Sequence, residues 1–163
     1  MQITRSDEGL RLSKLDLFFV EMLRQIPLSA DPSDSEPARE RLYSKPYDDG
    51  ELNAEWREYV EPELRSWLAS ATETVRRDLQ KFEETDRGGL RELTLLVPRR
   101  HLEKWLNTLN QARLALAARH HFSEAELSAD ECPVADDARN LSLFQIHFYG
   151  FLQEWIVREL AGE

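Results

Sequence analysis

The apolar positions of this chain recur mostly at three- and four-residue intervals, the spacing of helices that bury one face. The pattern is strongest from His101 to His120, HLEKWLNTLNQARLALAARH, which contains neither Gly nor Pro. Leu102, Trp105, Leu106, Leu109, Ala112, Leu116 and Ala117 share one side of that helix, and Leu114 faces another. The rest of the chain is expected to organise around it. A helix over 14–26 is predicted from the stripe Leu15, Phe18, Phe19, Met22, Leu23 and Ile26, with Leu17 and Val20 off it. Ser13 and Asp16 have capping-box spacing at its start, and Pro27 ends it.

Leu52, Trp56, Tyr59 and Val60 predict another helix beginning at Asp49 or Gly50. Pro62 marks a seam, and Leu64, Trp67, Leu68, Ala71, Val75, Leu79 and Phe82 carry a helix from there to about Asp86, stopped by Gly88-Gly89. One kinked helix and two separate ones both fit 50–86. The last helix starts near Ala138–Leu141 and runs to Leu160. Leu141, Phe144, Phe148, Phe151, Leu152, Trp155 and Ile156 lie on one side, so aromatic that the helix is either enclosed or exposes a partner-binding patch.

Period-two alternation is confined to short stretches. Ile3, Arg5, Leu10 and Leu12 around Gly9 suggest a hairpin, and Leu90–Val97 a third strand beside it. The expected fold is mainly α: a bundle of four to six helices with a small two- or three-stranded antiparallel β element (residues 2–12 and 91–97). It is expected to form a single helical domain over 1–163. Its interruptions are a Pro/Asp-rich loop, 29–50, with at most one turn around Ala38–Tyr43, and an acidic loop, 128–139. Tyr43, Pro46 and Tyr47 are the side chains able to pin the first loop.

A chain of 163 residues is long enough to bury about 68–70% of its unfolded surface without a staple. Cys132 is the only cysteine, so no internal disulfide forms. Thirty-one acidic against twenty-one basic side chains give a formal charge of −10, which disfavours nucleic acid and anionic membranes as partners. With no basic-then-apolar leader and no apolar run of spanning length, the expected location is the cytoplasm.

Chemistry is sparse. The histidines (His101, His120, His121, His147) form no HExxH, and neither His101 nor His147 has the Glu three residues earlier that a di-iron bundle needs. No metal, cofactor or catalytic residue is assigned. His120-His121 falls at a helix C-terminus, where a charged imidazole is favoured. There is no nucleophile elbow and no phosphate loop.

What remains is Arg113 on the apolar side of its helix, one turn from Asn110. An unpartnered charge is costly there. Either Glu154, Glu21 or Asp16 pairs with it from a neighbouring helix, or Arg113 and Asn110 hold an anionic ligand. A buried pair would make Arg113→Ala cost about 3–5 kcal/mol.

Leu10–Ile26, Leu42-Tyr43…Pro46-Tyr47, Leu93–Leu95, Trp105-Leu106…Leu109-Asn110…Arg113-Leu114-Ala115-Leu116 and Phe151-Leu152-Gln153-Glu154 together resemble a bacterial family of the DUF2017 type, a domain of unknown function. The resemblance covers nearly the full chain. It departs at Gln111-Ala112, where the family usually has Asp-Leu or similar, and at Ala117-Ala118, where it has a Gly. It implies that Asn110, Arg113 and Glu154 belong together, with Gln153 beside them, as a polar or anion-binding cluster. In actinobacteria such proteins tend to be encoded beside the small adaptor of the Clp protease, which implies a link to regulated proteolysis. The expected function is non-enzymatic protein–protein interaction, with another protein or with a second copy. The alternative is a small-anion or metabolite binder, or an enzyme, using Arg113 and Asn110.

Overall fold

The computed structural model describes residues 1–87, 90–129 and 137–162, with side chains 85–91 left out. Strands β1 (Gln2–Ser6) and β2 (Gly9–Leu15) form the N-terminal hairpin. Helices α1 (Leu17–Arg24), α2 (Ile26–Ser29), α3 (Glu36–Leu42), α4 (Gly50–Tyr59) and α5 (Glu61–Asp78) follow. Strands β3 (Glu83–Arg87) and β4 (Leu90–Pro98) then lead through one 3₁₀ turn, Arg99–His101, into α6 (Leu102–Arg119). The chain closes with α7 (Glu124–Leu127) and α8 (Ala138–Ala161).

The expected mainly helical fold is present, with more helical segments and a larger sheet than expected. Four antiparallel strands lie in the order β1-β2-β4-β3. The extra strand, β3, comes from residues assigned by periodicity to the end of a long helix. That helix stops at Asp78; Gly88 and Gly89, its expected stop, lie outside the described residues. Leu79 and Phe82 continue a helical spacing, yet they face the core from the connection between α5 and β3. Glu83–Arg87 is an all-polar edge strand, a composition that discourages pairing with foreign strands.

The predicted helix 14–26 is also redrawn. β2 runs on to Leu15, and Asp16 rather than Ser13 caps α1, accepting from Phe19 N at 3.0 Å. The register of β2 against β4 shifts between Leu12 and Leu15, where Lys14 takes a φ of 52°. This bulge inserts one residue, so Leu12 and Leu15 both face inward despite their odd spacing. It also explains why Leu15 mimics a helical stripe. Val20, off that stripe, is buried, whereas Phe18 and Leu17 are exposed. Pro27 does not end the segment; it sits in the first turn of α2.

Residues 50–86 hold two helices, broken at Val60, with Pro62 in the first turn of the second. The 29–50 connection contains α3, capped by Ser35.

α6 is the centre. It packs against α2, α3 and α5 and runs antiparallel to α8. Leu102, Trp105, Thr108, Leu109, Gln111, Ala112, Ala115 and Leu116 are all buried, so burial covers roughly half of its circumference. The inner face of the sheet (Leu10, Leu12, Leu15, Leu95, Val97) closes over Trp105 and over Leu152 and Ile156 of α8. The aromatic helix α8 is largely enclosed: Phe148 and Tyr149 are buried, Phe144 and Trp155 half-buried, and only Phe151 among its aromatic rings faces outward. No helix among the described residues is long and apolar enough to cross a membrane.

Candidate functional site

Arg113 is half-buried between α6 and α8, and its partner is an amide rather than a carboxylate. Nη1 donates to Gln153 Oε1 at 2.5 Å, and Gln153 Nε2 in turn donates to Leu106 O at 3.3 Å. Nε is buried without a partner. Burial pulls the guanidinium below its usual range, though an arginine remains charged at neutral pH. The guanidinium lies against Gly150, where a Cβ would stand 3.3 Å from Arg113 Cζ. Glycine at that position lets the cation rest on the backbone of α8.

The other members of the expected cluster point elsewhere. Glu154 pairs with Arg158 one turn along α8 and is exposed. Asn110 is exposed. Glu21 accepts from Gln25, and Asp16 is spent as the α1 cap. The structure therefore unites Arg113 with Gln153 and leaves Asn110 and Glu154 outside that contact.

A second polar constellation, which sequence reasoning missed, joins the end of α5 to the start of α6. Asp78 is 1% exposed, and its carboxylate accepts from three groups. Oδ2 takes Trp105 Nε1 at 3.1 Å and His101 Nδ1 at 2.8 Å, and Oδ1 takes Lys81 Nζ at 3.2 Å. Arg100 Nε donates to the other ring nitrogen of His101 at 3.3 Å, which places the imidazole proton on Nδ1. A polar cleft of about 400 Å³ opens beside it, lined by Asp78, Lys81, His101, Lys104, Thr74 and Arg77 among others. His101 and Trp105 share a helix face, a spacing visible in sequence. Asp78 lies on the far side of a strand hairpin, so nothing local announces it.

The third feature is the α4–α5 arm. Arg65 stacks over the ring of Tyr43 at 4.3 Å, pinning the 29–50 connection; Tyr47 and Pro46 stay exposed. Asn53 holds the same connection by accepting from Tyr47 N at 3.2 Å and donating to Tyr47 O. Tyr43 and Arg65 form a wall between two hollows. The inner one, about 200 Å³, includes the buried Gln111, whose amide nitrogen has no partner. The outer one, about 390 Å³, is lined by Arg39, Lys45, Arg57 and Arg65 with Glu40 and Glu61. Burial raises the Tyr43 hydroxyl pKa; Arg65 lowers it, and Asp31 and Glu61 add to the rise.

Residues 5–160 match the pattern of the family described as a domain of unknown function, DUF2017. The chain belongs to the DUF2017 family. No curated protein and no solved structure matches it. The matched span includes Arg113, the Asp78 junction and the arm alike, so DUF2017 membership favours none of the three over the others. Among the described residues, no group of three or more His, Cys, Asp or Glu is placed to hold a metal ion. Cys132 lies outside the described residues, as does most of the 128–139 loop.

Proposed function

We propose that this DUF2017 protein acts by binding another protein, not by catalysis, and that the partner docks on the α4–α5 arm. The observation that carries this reading is the exposure of large apolar side chains where the two helices meet. Tyr59 is 67% and Trp67 55% exposed, with Leu52 and Val60 beside them in the same arm. Asn53 is the one residue of α4 that is buried, so the helix spends little of its amphipathic surface on its own core. Exposed large aromatic side chains of this kind mark interaction sites, where Trp and Tyr act as anchors.

The groove beside the arm supports a partner that carries acidic residues. Arg39, Lys45, Arg57 and Arg65 line it, and neither Lys45 nor Arg57 forms an ion pair with a described carboxylate. Such local positive charge in a chain of −10 favours a segment with acidic residues next to apolar ones. A role in regulated proteolysis belongs to this proposal and rests on the gene neighbourhood of the family it resembles, which makes the Clp adaptor the first partner to try.

A photo-crosslinking residue at Trp67 tests the reading, with the same residue at Glu92 on the sheet as the control. The expected product is one heterologous protein joined through an acidic segment, diminished when Arg57 and Lys45 are changed to Glu. Sedimentation should show a monomer. Equal crosslinking from both positions, or a product made only of this chain, would sink the proposal.

A further inference from the structure

The cleft at the α5–α6 junction is lined by polar and charged side chains. It contains no apolar residue: Gln80 completes the set of Thr74, Arg77, Asp78, Lys81, His101 and Lys104. The carboxylate of Asp78 accepts from three groups, and Lys81 is the full cation among them. Arg77 has Glu73 only at 3.7 Å. Lys104 ends on the hydroxyl of Thr74 at 3.2 Å and pairs with no described carboxylate. Thr74 is itself buried, and its hydroxyl donates to Ser70 O at 3.1 Å, so its oxygen is held facing the ammonium. Arg100 lies alongside His101. Three full cations, Arg77, Lys81 and Lys104, thus line the cleft with the carboxylate of Asp78, and Glu73 stands beside Arg77.

We propose that this cleft binds the phosphoryl group of a small phosphorylated molecule. A tetrahedral dianion takes donors from several directions, and the end of α5 and the start of α6 both bring cationic side chains to the cleft. His101 lines the cleft in a fixed orientation, because Asp78 holds Nδ1 and Arg100 occupies Nε2, so the ring reports on the site without donating to the ligand. A volume of about 400 Å³ admits a phosphate with a small body, and lining side chains that all carry polar or charged groups suit a polar one. An extended nucleic acid does not suit this cleft: the positive charge is local, and the whole chain is at −10.

The test uses the full chain and three probes at constant ionic strength: inorganic phosphate, glycerol 3-phosphate, and glycerol as the uncharged control. His101 ring resonances, assigned by comparison with His101→Gln, report occupancy at the site itself. Saturable shifts with glycerol 3-phosphate and none with glycerol are expected. Lys104→Gln and Arg77→Gln change exposed side chains, should keep the melting temperature, and should each weaken binding roughly tenfold, the loss of one charge-assisted contact. Tighter binding of the ester than of free phosphate identifies a phosphomonoester as the ligand; the reverse identifies phosphate itself. Shifts reproduced by chloride at equal ionic strength, or an unchanged affinity in the Lys104→Gln, Arg77→Gln double variant, overturn the proposal. Trp67→Ala leaves this binding intact, so the docking reading and this one fail separately.

Discussion

At the scale of single residues, the protein shows how differently two buried polar groups are accommodated. Asp78 gathers three donors, whereas Arg113 meets one amide and the bare backbone at Gly150. The large loss expected on removing a buried ion pair does not apply to Arg113, because no carboxylate is left uncompensated. Arg113→Met, which keeps the aliphatic contacts, is expected to change stability by about 1 kcal/mol or less in urea unfolding. Gly150→Ala should gain up to about 1 kcal/mol of helix propensity. Its new Cβ must displace the guanidinium, however, so the gain should be larger in the Arg113→Met background. Identical gains in both backgrounds would show that the guanidinium does not rest on Gly150.

His120 runs against its sequence reading at the same scale. Burial, aided by Arg119, Arg139 and His121, holds its pKa below the usual 6.5, so the neutral ring is favoured despite the helix C-terminus. Its Nε2 is 2.9 Å from Ser142 Oγ. As pH falls below 6.5 the unfolded chain takes up this proton first, so stability must decline through that window. An NMR titration should place His120 below 6.5. A His120 value above 6.5 would remove this destabilisation.

At the scale of elements, conformation is set by a few positions with little freedom. Gly9 has a φ of 141°, and a Cβ there would stand 2.1 Å from Val97 O. Gly9→Ala should therefore cost on the order of 1–3 kcal/mol from backbone strain alone, plus the displacement of β4. Urea denaturation would reveal it, and a variant as stable as the parent would contradict the close approach of β2 to β4. The end of α6 is a Schellman arrangement: Phe122 N donates to Ala117 O at 3.0 Å and His121 N to Ala118 O at 3.3 Å, with His121 left-handed at φ 51°. This stop was legible as a position in the sequence, from the loss of apolar periodicity at His121-Phe122. The stop of α5 was not, because Leu79 and Phe82 keep the helical interval after the helix has ended. The same ambiguity hid the strand character of Leu15.

Across the whole molecule, α8 supplies one wall of the core and ties distant elements together. Glu159, nearly buried, pairs with Arg99 before α6 and with Arg5 of β1 at 3.4 Å, and Tyr149 OH donates to Met22 O of α1 at 3.1 Å. Truncation after Phe151 removes Leu152, Trp155, Ile156 and Glu159 together. The shortened chain should lose its cooperative thermal transition in calorimetry; a sharp transition near the parent's would refute this role for the end of α8. What the sequence by itself determined was the identity of the central helix and the mainly helical class, because a period of 3.6 sustained over eighteen residues of α6 has one economical meaning. It also marked Arg113 as a charge among apolar neighbours. Only the tertiary structure decided which residues meet that charge, where α5 gives way to β3, and that Asp78 and His101, separated by a whole β-hairpin, share a hydrogen bond. Periodicity reports which face of a segment is apolar; it carries no information about which distant polar group is brought to that face.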